Sequence, residues 1–277
     1  MSVRHEQQTL CKSVKMVGCG LHTGGDCSVG LHPGEPNSGV VFVTEFGEIP
    51  ARVEYVYETR RGTSLRNGAA QVHTVEHLLS ALYGLNIDNA LVEISGPELP
   101  AGDGSALPFV ELIESAGTAG QGEPAVEIYL DELIRTDDTD RYLSASPRNS
   151  LFVEGSVVFA HRLIGEQSNY FEITPEVFKR EIAPARTFCT SDEIDMILSQ
   201  GLGLGGNDDN VIVVYADRYS VPLRYPDEFV RHKILDVVGD LSLVGGRLNA
   251  GIKAVKSSHA LNVSLAERIV RGRSSIL

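Results

Sequence analysis

The sequence predicts an α+β fold built as two layers of sheet and helix. Three observations predict it. Strand-like and helix-like segments follow one another on both sides of a single Gly-rich stretch, SAGTAGQGEP (115–124). That stretch is small, flexible and closed by proline, so it reads as a linker. It separates an N-terminal domain over 1–118 from a C-terminal domain over 125–277, with the linker itself over 119–124, and both pieces are of ordinary domain size. Finally, 42% apolar and 22% charged residues make a chain that can bury a core and is not disordered.

The first half contains VVFVTEF (40–46) and ARVEYVYE (51–58), whose β-branched and aromatic residues partly alternate and predict strands. VHTVEHLLSALYGL (72–85) has helical spacing, with Gly84 near its end. ALVEI (90–94) is a strand after an Asp-Asn turn. SALPFVELIESAG (105–117) is a helix with Ser105 as cap, Pro108 early and Gly117 at its stop. The second half repeats the mixture. SLFVEGSVVFA (150–160) reads as a strand pair, PEVFKREIA (175–183) and SDEIDMILSQG (191–201) as helices, and NVIVVYA (210–216) as a strand. DEFVRHKILDVVGDLSLVG (227–245) is the strongest helix, and SSHALNVSLAERIV (257–270) is another.

Charge and cysteine usage narrow the function classes. The formal charge of −13 argues against broad nucleic-acid binding. No apolar run reaches the roughly 18 residues of a bilayer-spanning helix. The first ten residues carry no signal-peptide core, so a cytoplasmic location is expected. Cys11, Cys19, Cys27 and Cys189 form no CxxC pair and are expected to be free thiols.

Three histidine clusters carry the chemistry. They are His73-Thr74-Val75-Glu76-His77, Arg231-His232-Lys233-Ile234-Leu235-Asp236 and Ser257-Ser258-His259. On a helix His232 and Asp236 project to one side. An imidazole nitrogen and a carboxylate oxygen are both zinc ligands, and a catalytic zinc takes three protein ligands plus water. His77 can supply the third, with Glu76 beside it to hold a proton. The blander reading of His232 and Asp236 is a helix hydrogen bond. A rival metal reading takes His73 and His77 together, because H-x-x-E-H is the inverted zincin pattern; it needs a third ligand such as Glu111 or Glu114. Asp240 lies one turn beyond Asp236, so one carboxylate can ligate while the other orients a histidine such as His259. The run Gly201-Leu202-Gly203-Leu204-Gly205-Gly206 has neither the Lys-Ser/Thr of a phosphate loop nor GxGxxG spacing, and reads as a turn.

At these clusters the chain resembles the UDP-3-O-acyl-N-acetylglucosamine deacetylases, zinc enzymes of bacterial lipid A synthesis. The strings that carry the resemblance are GLHTG (20–24), TVEHLLSAL (74–82), IDNALVEISGPELP (87–100), DGSALPF (103–109), IAPARTF (182–188), GLGLGG (201–206), DEFVRHKILDVVGDL (227–241) and SSHALN (257–262). Their joint order, more than any one of them, makes the match specific.

The resemblance implies two similar α+β domains, each a layer of sheet packed with helices, with the active site at their interface. It implies removal of the 2-N-acetyl group from a UDP-linked, 3-O-acylated glucosamine by a monomer. His77, His232 and Asp236 are then the ligands of one catalytic Zn2+, a donor set that also suits Fe2+. Glu76 is implied as general base, His259 as its cationic partner supported by Asp240, and Thr187 as a donor to the oxyanion. Lys233 and Phe188 are implied to meet the substrate head, and Arg141 is expected to add a phosphate contact. The acyl chain needs an apolar groove, at about 0.8 kcal/mol per buried methylene. Its candidate lining is Ile194, Ile197, Leu198, Leu202 and Leu204, with Leu198 and Leu202 taken as contacts. The same spacing fits a core, which is the expectation for most of the five. The chain departs from the family at Ser258, where glycine is usual, at Ala101-Gly102 and at Asn207-Asp208. The departures at Ser258 and Ala101-Gly102 motivate the alternative of a non-catalytic nucleotide-sugar or lipid-binding protein on the same fold.

Overall fold

The computed structural model describes residues 5–274. Two mixed sheets form its frame. The first orders its strands Val14–Cys19, Asp26–Pro33, Ala90–Ser95, Val40–Thr44 and Gly47–Pro50. The second runs Ile134–Asp138, Arg141–Pro147, Arg247–Val255, Phe152–Val158 and Glu166–Glu172, with Glu127–Tyr129 added on Arg247–Val255.

Both sheets are wired alike. In each, the first two strands form an antiparallel pair, and the last strand in sequence inserts antiparallel beside the second. The last strand then pairs in parallel with the third, and the third pairs antiparallel with the fourth. The repeat is one of topology. Register fixes the buried face: Leu31 lies opposite Val92 in one sheet and Val153 opposite Ile252 in the other, and all four are buried.

Six α-helical segments accompany the sheets: α1 (Glu76–Gly84), α2 (Leu107–Ala116), α3 (Pro175–Val177), α4 (Ile194–Ser199), α5 (Glu228–Ser242) and α6 (His259–Ser274). Helix α1 packs on α5, bringing the two halves together. Leu78, Leu79 and Leu82 of α1 share one core with Val230, Ile234 and Val238 of α5 and with residues of both sheets. At about 1.5–3 kcal/mol for each fully buried aliphatic side chain, this shared core is a major part of what joins the halves. The approach is close at Gly239, where a Cβ would lie 2.1 Å from the Glu76 carbonyl oxygen.

Besides the two-stranded pairing of Glu6–Leu10 with Thr118–Pro124, two other small sheets flank this frame among the described residues. Val56–Glu58, Ser64–Asn67 and Ala70–Val72 form one; Phe188–Thr190 and Ile212–Val214, parallel and separated by α4, form the other.

Several expectations change. The stretch expected as linker contains a strand, Thr118–Pro124, antiparallel to Glu6–Leu10, because backbone pairing is available to it whatever its composition. Residues 51–58 begin with a 3-10 turn and end in a three-residue strand. The expected strand pair at 150–160 is one strand, whose hairpin partner is the polar Glu166–Glu172. Only Pro175–Val177 of 175–183 is α-helical, and the chain continues as a π turn. Helix α1 starts at Glu76, so His73 lies before it and pairs with Glu98 in an isolated bridge. Cys11, Cys19, Cys27 and Cys189 are free.

Candidate metal centre and active site

The first turn of α1 and the middle of α5 bring together three ligand-bearing side chains. His77, His232 and Asp236 are buried, and their ligand atoms lie within 4.8 Å of one another. Asp236 Oδ1 is 3.5 Å from His232 Nε2 and 3.7 Å from His77 Nε2. Those gaps are too long for hydrogen bonds. They match the separation of about 3.4 Å between ligand atoms on a tetrahedral zinc with bonds near 2.0–2.1 Å. Asp236 Oδ1 is moreover buried without a hydrogen-bond partner, a costly position that a cation between the three groups relieves. The donor set and its spacing therefore fit a divalent ion such as Zn2+.

The surroundings prepare the ligands. His232 Nδ1 meets the Ala185 carbonyl at 3.1 Å, which turns Nε2 toward Asp236. Burial lowers the His232 pKa to about 3, leaving the neutral imidazole that a metal requires. Burial opposes ionisation of Asp236, but the positive charges of Lys233 and His259 outweigh it and hold its pKa well below the ordinary carboxylate range. Lys233 Nζ donates to Asp236 Oδ2 at 2.9 Å.

Glu76 precedes His77 and faces the same space. Its carboxyl is raised above the usual range, chiefly by burial, against the pull of His259 and His77. Glu76 Oε2 accepts the Thr63 amide at 2.9 Å. Across the site, Asp240 Oδ2 accepts from His259 Nδ1 at 2.8 Å and from Asn262 Nδ2 at 2.8 Å, while Thr63 Oγ1 donates to Asp240 Oδ1 at 2.6 Å. Burial disfavours a charged His259, yet the Asp240 and Asp236 carboxylates prevail and its pKa is pushed up to about 9. Ser258 occupies the position before α6, and its Oγ accepts from the Leu261 amide at 3.4 Å, so the side chain caps the helix that starts at His259.

Two features that sequence reasoning assigned no role hold the entry to α1. Thr74 adopts φ +60°, a strained conformation for a β-branched residue. Its hydroxyl donates to Glu98 Oε1 at 2.9 Å. Glu98, fully buried, also accepts from the amides of His22 and Thr23 and from the Thr23 hydroxyl. This carboxylate thus ties the 20–24 loop to the turn before Glu76. Glu98 sits inside one of the family-like strings, which was its only signal. Thr63 lies outside all of them.

Other candidates fall on the rim. A cleft of about 230 Å³ is lined by Thr187, Phe188, Ile194, Ile197 and Leu198, with His22 and Arg61 among its polar members. Thr187 is held through its backbone, which donates to Gly104 and accepts from Ile212. The Phe188 ring centroid is 6.3 Å from that of His232, and Lys233 Nζ is 5.8 Å from the Phe188 centroid. The expectation of core for most of the five aliphatic residues fails. None of residues 194–199 is buried, and Leu198 and Leu204 are 46% and 58% exposed. Helix α4, six residues long, contributes no residue to either hydrophobic core. Leu202 is half-buried, donates its amide to Ile197, and is not among the residues lining the cleft. Arg141 is exposed at the start of its strand, beside Tyr142, which pairs with Val255.

Glu111 and Glu114 lie on α2, and neither joins His77 in the ligand group, which removes the inverted-zincin reading. His73 instead meets Ser64 Oγ at 3.0 Å.

A mononuclear His2Asp centre with an adjoining glutamate, set between two like-wired α+β layers, defines the class: a metal-dependent hydrolase. The chain belongs to the UDP-3-O-acyl N-acetylglycosamine deacetylase family, whose model matches residues 7–271. It is 42% identical over 270 residues to the UDP-3-O-acyl-N-acetylglucosamine deacetylase of Anaeromyxobacter sp. (strain Fw109-5), covering 95% of this chain and 88% of the relative. The deacetylase of the same name from Myxococcus xanthus (strain DK1622) is 40% identical over 274 residues, covering 96% and 87%. That of Coxiella burnetii (strain CbuK_Q154) is 38% identical over 280 residues, covering 98% and 92%.

Proposed function

We propose that this chain hydrolyses the 2-N-acetyl group of UDP-3-O-acyl-N-acetylglucosamine, releasing acetate and the free amine in lipid A biosynthesis, with Glu76 as base and His259 as its cationic counterpart. The observation that carries the reading is the buried His77, His232 and Asp236 group with Asp236 Oδ1 lacking any other partner. A divalent ion there supplies Lewis acidity toward the amide carbonyl and toward water.

The chain's own residues do the rest. Glu76 takes the proton from the attacking water and returns it to the leaving nitrogen, because an amine cannot leave as an amide anion. Its raised pKa suits both roles. His259, kept charged by Asp240, faces the negative charge that develops on the carbonyl oxygen, and Thr187 donates there. Lys233 and Phe188 meet the sugar-nucleotide head, and Arg141 adds a phosphate contact. Ile194, Ile197 and Leu198 take the acyl chain, an occupant that accounts for aliphatic side chains left outside the core.

The reading treats 1–118 and 125–277 as two domains and the chain as a cytoplasmic monomer. Among the described residues, no helix is long and apolar enough to cross a membrane. Ser258 does not favour the binding-protein alternative, since it serves α6 as a cap.

The test is acetate release from UDP-3-O-acyl-N-acetylglucosamine by purified protein, before and after chelation and after zinc is restored. Turnover should vanish and return. Full turnover by metal-free protein would overturn the reading.

A further inference from the structure

We propose that Thr63 is a positioning residue that locks the base Glu76 and the Asp240–His259 pair into one geometry across the two halves of the chain. The inference rests on the roles proposed above for Glu76 and His259.

Thr63 has no exposed surface. All three of its polar groups are committed. The amide donates to Glu76 Oε2 at 2.9 Å, the carbonyl accepts from the Val75 amide at 3.1 Å, and the hydroxyl donates to Asp240 Oδ1 at 2.6 Å. The first two bonds hold the start of α1 and aim its carboxylate. The third crosses to α5, at the length typical of a hydroxyl bound to a carboxylate.

The hydroxyl decides how Asp240 is turned. Asp240 Oδ2 is taken by His259 and Asn262, so Oδ1 must find its donor on the other side, and Thr63 provides it. With the hydroxyl removed, Oδ1 becomes a buried acceptor without a partner, and the carboxylate turns to recover one. His259 follows, because its Nδ1 is tied to that carboxylate. Serine preserves the donor. Valine preserves the shape and loses it. Gly62 fits the same design: a Cβ there would lie 3.1 Å from Glu76 Oε1, so the neighbouring residue leaves the base room while Thr63 holds it.

The test compares Thr63→Val and Thr63→Ser in the zinc-loaded full chain, by steady-state acetate release and by zinc content per chain. Thr63→Val should lower kcat by roughly 100-fold, the scale of a small misplacement of a reacting group, with KM and zinc content unchanged. Thr63→Ser should restore kcat to within about threefold. In an Asp240→Asn background, Thr63→Val should cost less than about threefold more, because both changes break one unit. Should Thr63→Val not fold, Thr63→Ala takes its place in each comparison. A hydroxyl-free variant with kcat within twofold of the parent overturns the proposal. So does a serine variant as slow as valine, or full additivity with Asp240→Asn. Glu76→Gln is run in parallel; if it turns over like the parent, the assignment of the base has failed, whatever Thr63 does.

Discussion

Asp240 Oδ2 and His259 Nδ1 are 2.8 Å apart, and Asp240 has no exposed surface. This pairing outweighs the burial that would otherwise discharge the imidazole. Together with the Asp236 carboxylate it pushes the His259 pKa up to about 9. His259 is therefore charged at neutral pH, as its proposed role toward the oxyanion requires.

The sign of the pH dependence follows. A group whose folded pKa lies above its ordinary value of about 6.5 stabilises the fold fully below that value. The contribution is lost as pH rises through about 9. On the role proposed for His259 the rate should fall over the same window, because the oxyanion would lose its cationic partner. Asp240→Asn should shift the basic limb of kcat/KM toward neutral pH by about one unit or more. A pH–rate profile that superimposes on the parent's would contradict this.

Glu76→Gln keeps the shape of the side chain and removes the carboxylate proposed as the base. Turnover should drop by about 10²–10⁴-fold, the usual contribution of a general base. Zinc stoichiometry should stay the same, since the ligands are His77, His232 and Asp236. Metal analysis alongside single-turnover acetate release checks both halves of the expectation.

Leu198 is 46% exposed and lines the cleft, so its loss should affect substrate more than fold. Leu198→Ala should raise KM for a long-chain substrate roughly tenfold, from about 1.5 kcal/mol of lost apolar contact. Its melting temperature should stay within a degree or two, because surface changes rarely exceed about 0.5 kcal/mol. An unchanged KM across a series of acyl lengths would place the chain elsewhere.

Gly239 lies where the backbone of α5 passes close to that of α1. Gly239→Ala would set a methyl group 2.1 Å from the Glu76 carbonyl oxygen, and rigid backbone on both sides leaves little room to give. The variant should lose about 3 kcal/mol or more of stability, the upper range for overpacking. Its remaining folded fraction should turn over slowly, because α1 carries both Glu76 and His77. Urea unfolding with parallel acetate release measures the two effects.

Much of this was readable in the residues. The i, i+4 spacing of His232 and Asp236 and the adjacent Glu76-His77 pair were enough to suggest the ligand set. Helix α5 is unmistakable because its apolar residues recur at helical period along DEFVRHKILDVVGDL. Other elements left weaker marks. Arg247–Val255 buries Leu248, Ala250, Ile252 and Ala254 in strict alternation, but alanine is a poor strand signal. Glu166–Glu172 and Thr118–Pro124 are polar strands held by pairing, which composition does not encode.

The sequence by its ligand types and helical spacing therefore offered candidate metal ligands and left their choice open, and the class of chemistry came from the resemblance carried by the ordered strings between residues 20 and 262. Tertiary structure decided which histidine joins the metal group, because α1 begins at Glu76 and leaves His73 outside it. It also decided that Ile194, Ile197 and Leu198 line a cleft and that Thr63 bonds to Asp240 across 177 positions of chain. Such contacts depend on where the two halves of the chain pack against one another, and no periodicity within either half records that.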